Sequence, residues 1–276
     1  MKIAAFYENI AEGAKYAGIS TVEAVNRLMK EGMELLYIGG FTLRESWSEV
    51  ENVLNETKIL VEGIHDWIDL AHNPENPLLE QTIQNAAKLH SNNVLIVPGL
   101  LQQGDNPEII TDNIKIGMKR AVNIGLQLGI PVSMENLDNV HSVFNSINGL
   151  KQFMDAIPEL KCSFDTGNFV IHHEDELAGF ELFRDRLCTI HVKDRTLSPK
   201  YDDVPPKICA DGSNTYVASI GTGYIKIREI LSELIAQEYA GNLIVEAYEY
   251  SPSHTLEGIV ESIRWLQKEL TVLKNR

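Results

Sequence analysis

Four short apolar runs in this chain each close on a side chain that binds metals. They read Val132-Ser133-Met134-Glu135-Asn136, Cys162-Ser163-Phe164-Asp165-Thr166-Gly167-Asn168, Thr189-Ile190-His191-Val192-Lys193-Asp194 and Leu243-Ile244-Val245-Glu246-Ala247. The steps from Glu135 to Asp165, to His191 and to Glu246 are 30, 26 and 55 residues. The first two fit one strand-plus-helix unit. In a parallel barrel successive strand ends converge on one face, which would gather three carboxylates and one imidazole. That donor set suits one divalent cation (Mn²⁺, Mg²⁺, Co²⁺ or Zn²⁺) with one or two positions left for substrate oxygens or water. A cation on the adjacent oxygens of a hydroxy-ketone would polarise the carbonyl and stabilise an enediolate. Glu135 and Glu246 are the natural pair to move a carbon-bound proton, one removing it and the other returning it.

The elements that must position these groups can be read from the same pattern. Eight strand candidates fall at 3–7, 33–38, 58–64, 94–98, 131–135, 161–165, 188–192 and 243–247, several of them continuous apolar runs such as Val94-Leu95-Ile96-Val97. Strands buried on both faces look like this. Helical patterns fill the gaps: one capped by Ser20 or Thr21 through about Lys30, one after Ser46, one from Asp105-Asn106-Pro107-Glu108 to Leu128-Gly129, and others near 142–156, 175–186, 226–238 and 255–270. Alternating strands and helices allow a closed barrel or an open doubly wound sheet. No Gly-rich phosphate loop follows the first strand, and the polar strand ends occur on four consecutive strands rather than at one switch point. The expectation is one (β/α)8 TIM barrel over residues 1–276, with a long loop at about 196–221 after strand 7 that could cover a substrate.

Composition narrows the partners. The formal net charge of −15 argues against nucleic acid, which needs concentrated Lys and Arg. Three cysteines without paired spacing (Cys162, Cys188, Cys209) suggest a reducing compartment. With no apolar stretch of about 20 residues and an N-terminus that meets Glu8 early, a cytoplasmic protein without membrane contact is expected. Trp47 and Trp265 on outer helices leave a homo-oligomer open.

Met134-Glu135-Asn136, Phe164-Asp165-Thr166-Gly167-Asn168, Ile190-His191-Val192-Lys193-Asp194, Ile220-Gly221-Thr222-Gly223-Tyr224-Ile225 and Val245-Glu246-Ala247 together resemble the xylose isomerase-like TIM-barrel superfamily. That group holds sugar phosphate isomerases and epimerases, hydroxypyruvate isomerase, tagatose/psicose 3-epimerases, inosose dehydratase and endonuclease IV. The resemblance covers nearly the whole chain. It implies that Glu135, Asp165, His191 and Glu246 are metal ligands and that Glu135 and Glu246 are the acid/base pair of a carbohydrate isomerase or epimerase. Asn168 stands where many members carry a His, which removes a ligand of the endonuclease-type three-zinc cluster and, with the acidic charge, weighs against DNA repair. Asn168 can still hydrogen-bond a hydroxyl.

Other candidate substrate contacts are His65 and Trp67 beyond the third strand, Lys193 on the same side of its strand as His191, and Arg195. Asn136 is placed to orient Glu135. His72, His90, His141, His172, His173 and His254 read as surface or loop residues. The expected activity is metal-dependent isomerisation or epimerisation of a small ketose, sugar phosphate or hydroxy-keto compound. Its rivals are an inosose-type dehydratase and a non-catalytic metal- or sugar-binding barrel.

Overall fold

A computed structural model describes residues 1–275. In chain order it contains β1 (Ile3–Phe6), α1 (Tyr7–Tyr16), α2 (Thr21–Lys30), β2 (Leu35–Gly39), α3 (Gly40–Thr57), β3 (Leu60–Trp67), α4 (Leu78–Lys88), β4 (Asn93–Val97), α5 (Pro107–Leu128) and β5 (Val132–Glu135). There follow α6 (Ile147–Ala156), β6 (Lys161–Asp165), α7 (Glu176–Phe183), β7 (Leu187–Val192), β8 (Asp194–Thr196), β9 (Lys207–Ile208), β10 (Asn214–Ala218), α8 (Ile227–Ala236), β11 (Leu243–Val245) and α9 (Pro252–Lys274). Strands β1 to β7 pair in parallel in sequence order, and β11 closes the ring between β7 and β1. The eight barrel strands coincide with the eight apolar runs, and the expected TIM barrel is the fold.

Local chemistry explains the edges of several elements. Ser20 caps α2 by accepting from Glu23 N. Asn106 caps α5 in the same way, with Pro107 in its first turn and Gly129 ending it in the left-handed region at φ +70°. Ser46 is not a helix start: α3 begins at Gly40 and kinks at Ser46, whose φ of −138° breaks the helical geometry. Helix α6 begins at Ile147, capped by Ser146, later than its apolar pattern suggests. Helices α1 and α4 have no counterpart in the sequence reading.

Inside the barrel, side chains alternate along each strand. Ser133, Ser163 and Thr189 lie two residues before Glu135, Asp165 and His191 and form a hydroxyl layer: Ser133 Oγ to Ser163 Oγ is 2.7 Å, and Thr189 Oγ1 to Ser163 Oγ is 2.8 Å. This layer pins three neighbouring strands in register directly beneath the acidic strand ends. The segment expected as a long loop is partly a sheet: β8, β10 and β9 pair antiparallel in that order. Asp194 anchors its return, accepting from the backbone N–H of Arg195, Gly221, Gly223 and Ile225 at 2.8–3.2 Å. Gly221 is required there, with φ +85° and a Cβ position only 2.1 Å from the Trp265 ring.

Candidate metal centre

Glu135 closes β5, Asp165 closes β6, His191 is the penultimate residue of β7 and Glu246 directly follows β11. Asp165 and His191 are register partners across the β6–β7 ladder. Glu246 continues the parallel ladder by donating its N–H to Val192 O at 3.1 Å. One potential ligand atom from each of the four residues lies within 4.8 Å of all the others. Glu135, Asp165 and His191 are buried, and Glu246 is nearly so.

Whether these residues fit a cation is tested by their unsatisfied atoms. Asp165 Oδ2 and both ring nitrogens of His191 are buried without a hydrogen-bond partner. His191 Nδ1 lies 3.2 Å from Glu135 Oε2 and 3.5 Å from Glu246 Oε2, but neither contact has hydrogen-bond geometry. Buried polar atoms are rarely left in this state. Atoms aimed at one point instead of at each other are what a shared ligand requires. The protonation tendencies agree. Burial pushes Asp165 well above the usual carboxylate range, and Glu246 and Glu135 add to the rise. Burial disfavours a charged His191, but Glu135 and Glu246 raise it to about 10. In both groups the protein takes up positive charge, which a divalent ion would provide in place of protons. The donor set of three carboxylates and one imidazole fits such an ion.

A ring of polar groups fixes these four side chains. Asn136 donates to Asp165 O at 3.1 Å and accepts from Asp165 N at 3.2 Å, so it locks the end of β6 and does not touch the Glu135 carboxylate it was expected to orient. Gly167 N donates to Asp165 Oδ1 at 2.8 Å. Asn168 donates to Asn136 O at 2.8 Å and accepts from Lys193 Nζ at 2.8 Å. Both ends of its amide are therefore engaged within the protein. Lys193 Nζ lies 2.5 Å from Glu246 Oε1 and 3.5 Å from both Asp165 Oδ2 and Asp138 Oδ2. Burial opposes ionisation of Glu246, yet Lys193, with His191, holds it well below the usual range.

These groups open into a cavity of about 400 Å³, within the range of small-molecule sites. Of the expected substrate contacts, His65, Trp67, Asn168 and Lys193 lie on its wall. His65 and Trp67 belong to β3 rather than following it, and alternation turns both toward the cavity while Asp66 points outward to Arg44. Arg195 does not reach the wall. Its guanidinium is wholly buried and held by Glu249, by Asp138 (2.8 Å) and by Gly167 O (3.2 Å), which corrects its placement as a substrate contact.

Several wall residues escaped the sequence reading: Phe6, Phe41, Asp138, Lys207, Tyr248 and Glu249. A signal for two of them was present, since Asp138 and Glu249 each follow a strand-end glutamate by three residues, as Asn168 follows Asp165. The others arrive through tertiary structure. Phe6 and Tyr37 pack edge-on against His191, with ring centroids 5.4 and 5.3 Å away, and Tyr37 also stacks on His65 at 5.6 Å. Glu8 accepts from Gly39 N (2.8 Å) and Thr42 Oγ1 (2.6 Å) and lies 3.3 Å from His65 Nε2. Among the other histidines, His254 stacks on Tyr201 at 3.6 Å and is half-buried, as is His172, whose Nε2 has no partner.

The fold has counterparts in solved structures. The 3-keto-D-glucoside 4-epimerase YcjR from E. coli superposes with a TM-score of 0.73 at 15% identity, over 97% of this chain and 99% of that one. The probable 3-DHS dehydratase AsbF of Bacillus anthracis gives the same values. The IOLI protein, solved with a binding zinc atom, matches with a TM-score of 0.69 at 14% identity over 99% of each chain. At such identities the likeness is one of fold. No curated protein sequence matches the chain. The model of one protein family matches residues 11–269, spanning all four strand-end residues. On that match, the chain belongs to the xylose isomerase-like TIM barrel family.

Proposed function

We propose that this protein is a divalent-metal-dependent isomerase or epimerase of a small ketose or related hydroxy-keto compound, acting by proton transfer at a carbon next to a carbonyl. The observation that carries the reading is the convergence of Glu135, Asp165, His191 and Glu246 on one point at the floor of a cavity, with Asp165 and His191 atoms unsatisfied. A metal-only structural site would be closed, whereas this one faces a cavity sized for a small molecule. When bound, the ion supplies Lewis-acid polarisation of a carbonyl and stabilises negative charge as it develops on the neighbouring oxygens.

The chain's own residues supply the rest. Glu135 and Glu246 come from β5 and from the end of β11, and both carboxylates face the cavity. One takes a proton from the substrate carbon and the other delivers one, the pair exchanging roles in the reverse direction. Lys193, paired to Glu246 Oε1, fixes that carboxylate's direction. Phe6, Phe41, Trp67 and Tyr248 give the cavity an aromatic wall beside these groups.

The test is to follow ketoses by NMR in D₂O with the Mn²⁺-loaded protein. Epimerisation or isomerisation incorporates deuterium at the carbon that loses its proton and conserves the sugar. Dehydration of the inosose type yields an unsaturated or diketone product instead. Replacing either glutamate, Glu135→Gln or Glu246→Gln, should lower turnover by about 10²–10⁴-fold, the usual worth of a positioned acid or base, with little change in KM. Full activity in both variants would remove the acid–base assignment. A barrel that only bound metal or sugar would show binding without exchange.

A further inference from the structure

The charge pattern of the cavity distinguishes a sugar from its phosphate ester. Resting on the isomerase reading, we infer that the cavity takes an uncharged polyhydroxy substrate and that His65 and Tyr248 recognise its hydroxyls, with Glu8 behind the wall fixing the directions of both.

Every cation at the cavity is already engaged. Lys193 pairs with Glu246 and approaches Asp138 and Asp165. Lys207, brought in by β9, lies 3.0 Å from Asp138 Oδ1. Arg195, behind the wall, is held by Glu249 and Asp138. The wall carries Glu135, Asp138, Glu246 and Glu249 against two lysines, with Asp165, Glu8 and Arg195 immediately behind. A divalent ion still leaves negative charge in excess. An anionic substituent would meet repulsion in a partly dehydrated space, on a protein whose net charge of −15 repels anions at a distance as well.

In the loop after β7, where barrels commonly bind phosphate, the N–H groups of Gly221, Gly223 and Ile225 are already given to Asp194, and a second anion position near the cavity is occupied as well. Backbone amides at the N-terminus of a helix after a barrel strand form a ready anion site. At the start of α3, Gly39 N and the Thr42 hydroxyl already donate to Glu8 Oε1. The protein has placed its own carboxylate there.

Glu8 Oε2 is left to face His65 Nε2 at 3.3 Å and the Tyr248 hydroxyl at 3.4 Å, and that hydroxyl lies 3.1 Å from the same imidazole nitrogen. The imidazole and the phenol, both on the wall and both held by Glu8, provide donor and acceptor capacity, as sugar hydroxyls do. Phe6 packs edge-on against both His65 (5.0 Å) and His191 (5.4 Å), so this triad stands one aromatic ring from a metal ligand. The apolar faces of Phe41 and Trp67 beside it suit the C–H face of a sugar.

The inference is tested by calorimetric titration of the Mn²⁺-loaded protein with a ketohexose, its terminal phosphate ester, inorganic phosphate and a series of ketoses each lacking one hydroxyl. The ketohexose should bind about 100-fold more tightly than its ester, as expected for one unfavourable charge at close range, and inorganic phosphate should show no binding. Tyr248→Phe should weaken the ketohexose about tenfold, the worth of one hydrogen bond, without altering Mn²⁺ uptake. That loss should vanish for the one deoxy sugar that lacks the recognised hydroxyl. Glu8→Gln should behave likewise; if it does not fold, Tyr248→Phe alone decides. Tighter binding of the ester or of phosphate, no binding of any sugar, or no effect of Tyr248→Phe on any sugar would overturn the inference. Sugar binding without deuterium exchange would leave it standing and remove the isomerase reading instead.

Discussion

At the scale of single residues, the site is a balance of charges that share one buried space, and Lys193 is its pivot. It is almost inaccessible and serves Glu246, Asp165 and Asp138 together. Lys193→Met removes the cation and leaves those carboxylates buried against one another, which in metal-free protein should cost on the order of 3–5 kcal/mol. A bound divalent ion would offset much of that. The urea midpoint of Lys193→Met should therefore fall well below the parent's in chelator and approach it in saturating Mn²⁺. An equal deficit in both conditions would mean that Lys193 and the ion act on different groups.

Glu8 gives a second residue-scale expectation, in pH. Burial opposes its ionisation, but hydrogen bonds from His65, Thr42 and Gly39 N hold its carboxyl below the ordinary 4.5. A depressed folded-state value stabilises the fold above the unfolded value and loses that contribution as pH falls through the folded one. Glu8→Gln should thus be less stable than the parent at pH 7, with the gap closing below about pH 4. A gap that stays constant at every acidic pH where both proteins remain folded would show that shape rather than charge matters at this position.

At the scale of elements, the link between β3 and its flanking helices rests on a buried ion pair that no motif announces. Asp66 is fully buried, accepts from Arg44 Nη1 (2.5 Å) and Nη2 (3.1 Å), and receives the Thr82 hydroxyl at 2.5 Å. Through it α3, β3 and α4 are tied outside the strand while His65 and Trp67 face the cavity. Arg44→Met strands the carboxylate and should destabilise by about 3–5 kcal/mol, with Asp66→Asn in the same chain restoring part of it. Equilibrium unfolding of the two variants checks this. No recovery in the double variant would mean that Arg44 acts by packing alone.

The same scale explains what the sequence made legible. Barrel strands declare themselves because both faces are buried, so they read as unbroken apolar runs, and the four converging strand-end residues declare themselves by ending such runs. Helix α1 was hidden because it begins at Tyr7, directly after β1, with no turn residue to mark the change of period. Strands β8, β9 and β10 were hidden because they are two to five residues long and are defined by one another, through pairs such as Val217 with Arg195 and Thr215 with Lys207. Arg195 was misplaced for a related reason. Its position near a strand end suggested the cavity, but Glu249 and Asp138, far away in sequence, capture its guanidinium. Trp47 and Trp265, open as interface residues, are partly buried within the chain, the first under Lys88 Nζ at 3.9 Å and the second against Gly221.

At the scale of the whole molecule, barrel closure and the site depend on the same strands. β11 joins β7 to β1, and Glu246, just beyond it, completes the cluster that begins on β5. Forming the barrel therefore brings Glu135, Asp165 and Glu246 together, an arrangement that a divalent ion relieves. An ion that binds only the folded chain stabilises it by RT ln(1 + [L]/Kd), about 2.7 kcal/mol at a hundredfold excess over Kd. For a domain of this size that corresponds to a rise in Tm of roughly 5–10 °C. Thermal unfolding should show this rise when Mn²⁺ is added to chelator-treated protein, and His191→Ala, which removes one ligand from the shared point, should abolish most of it. The variant's midpoint in chelator separates the two effects of the substitution. If it equals the parent's in chelator but no longer responds to Mn²⁺, the four strand ends act as one binding site. If both proteins respond equally, the ion binds elsewhere, and the convergence of the strand ends serves hydrogen bonding alone.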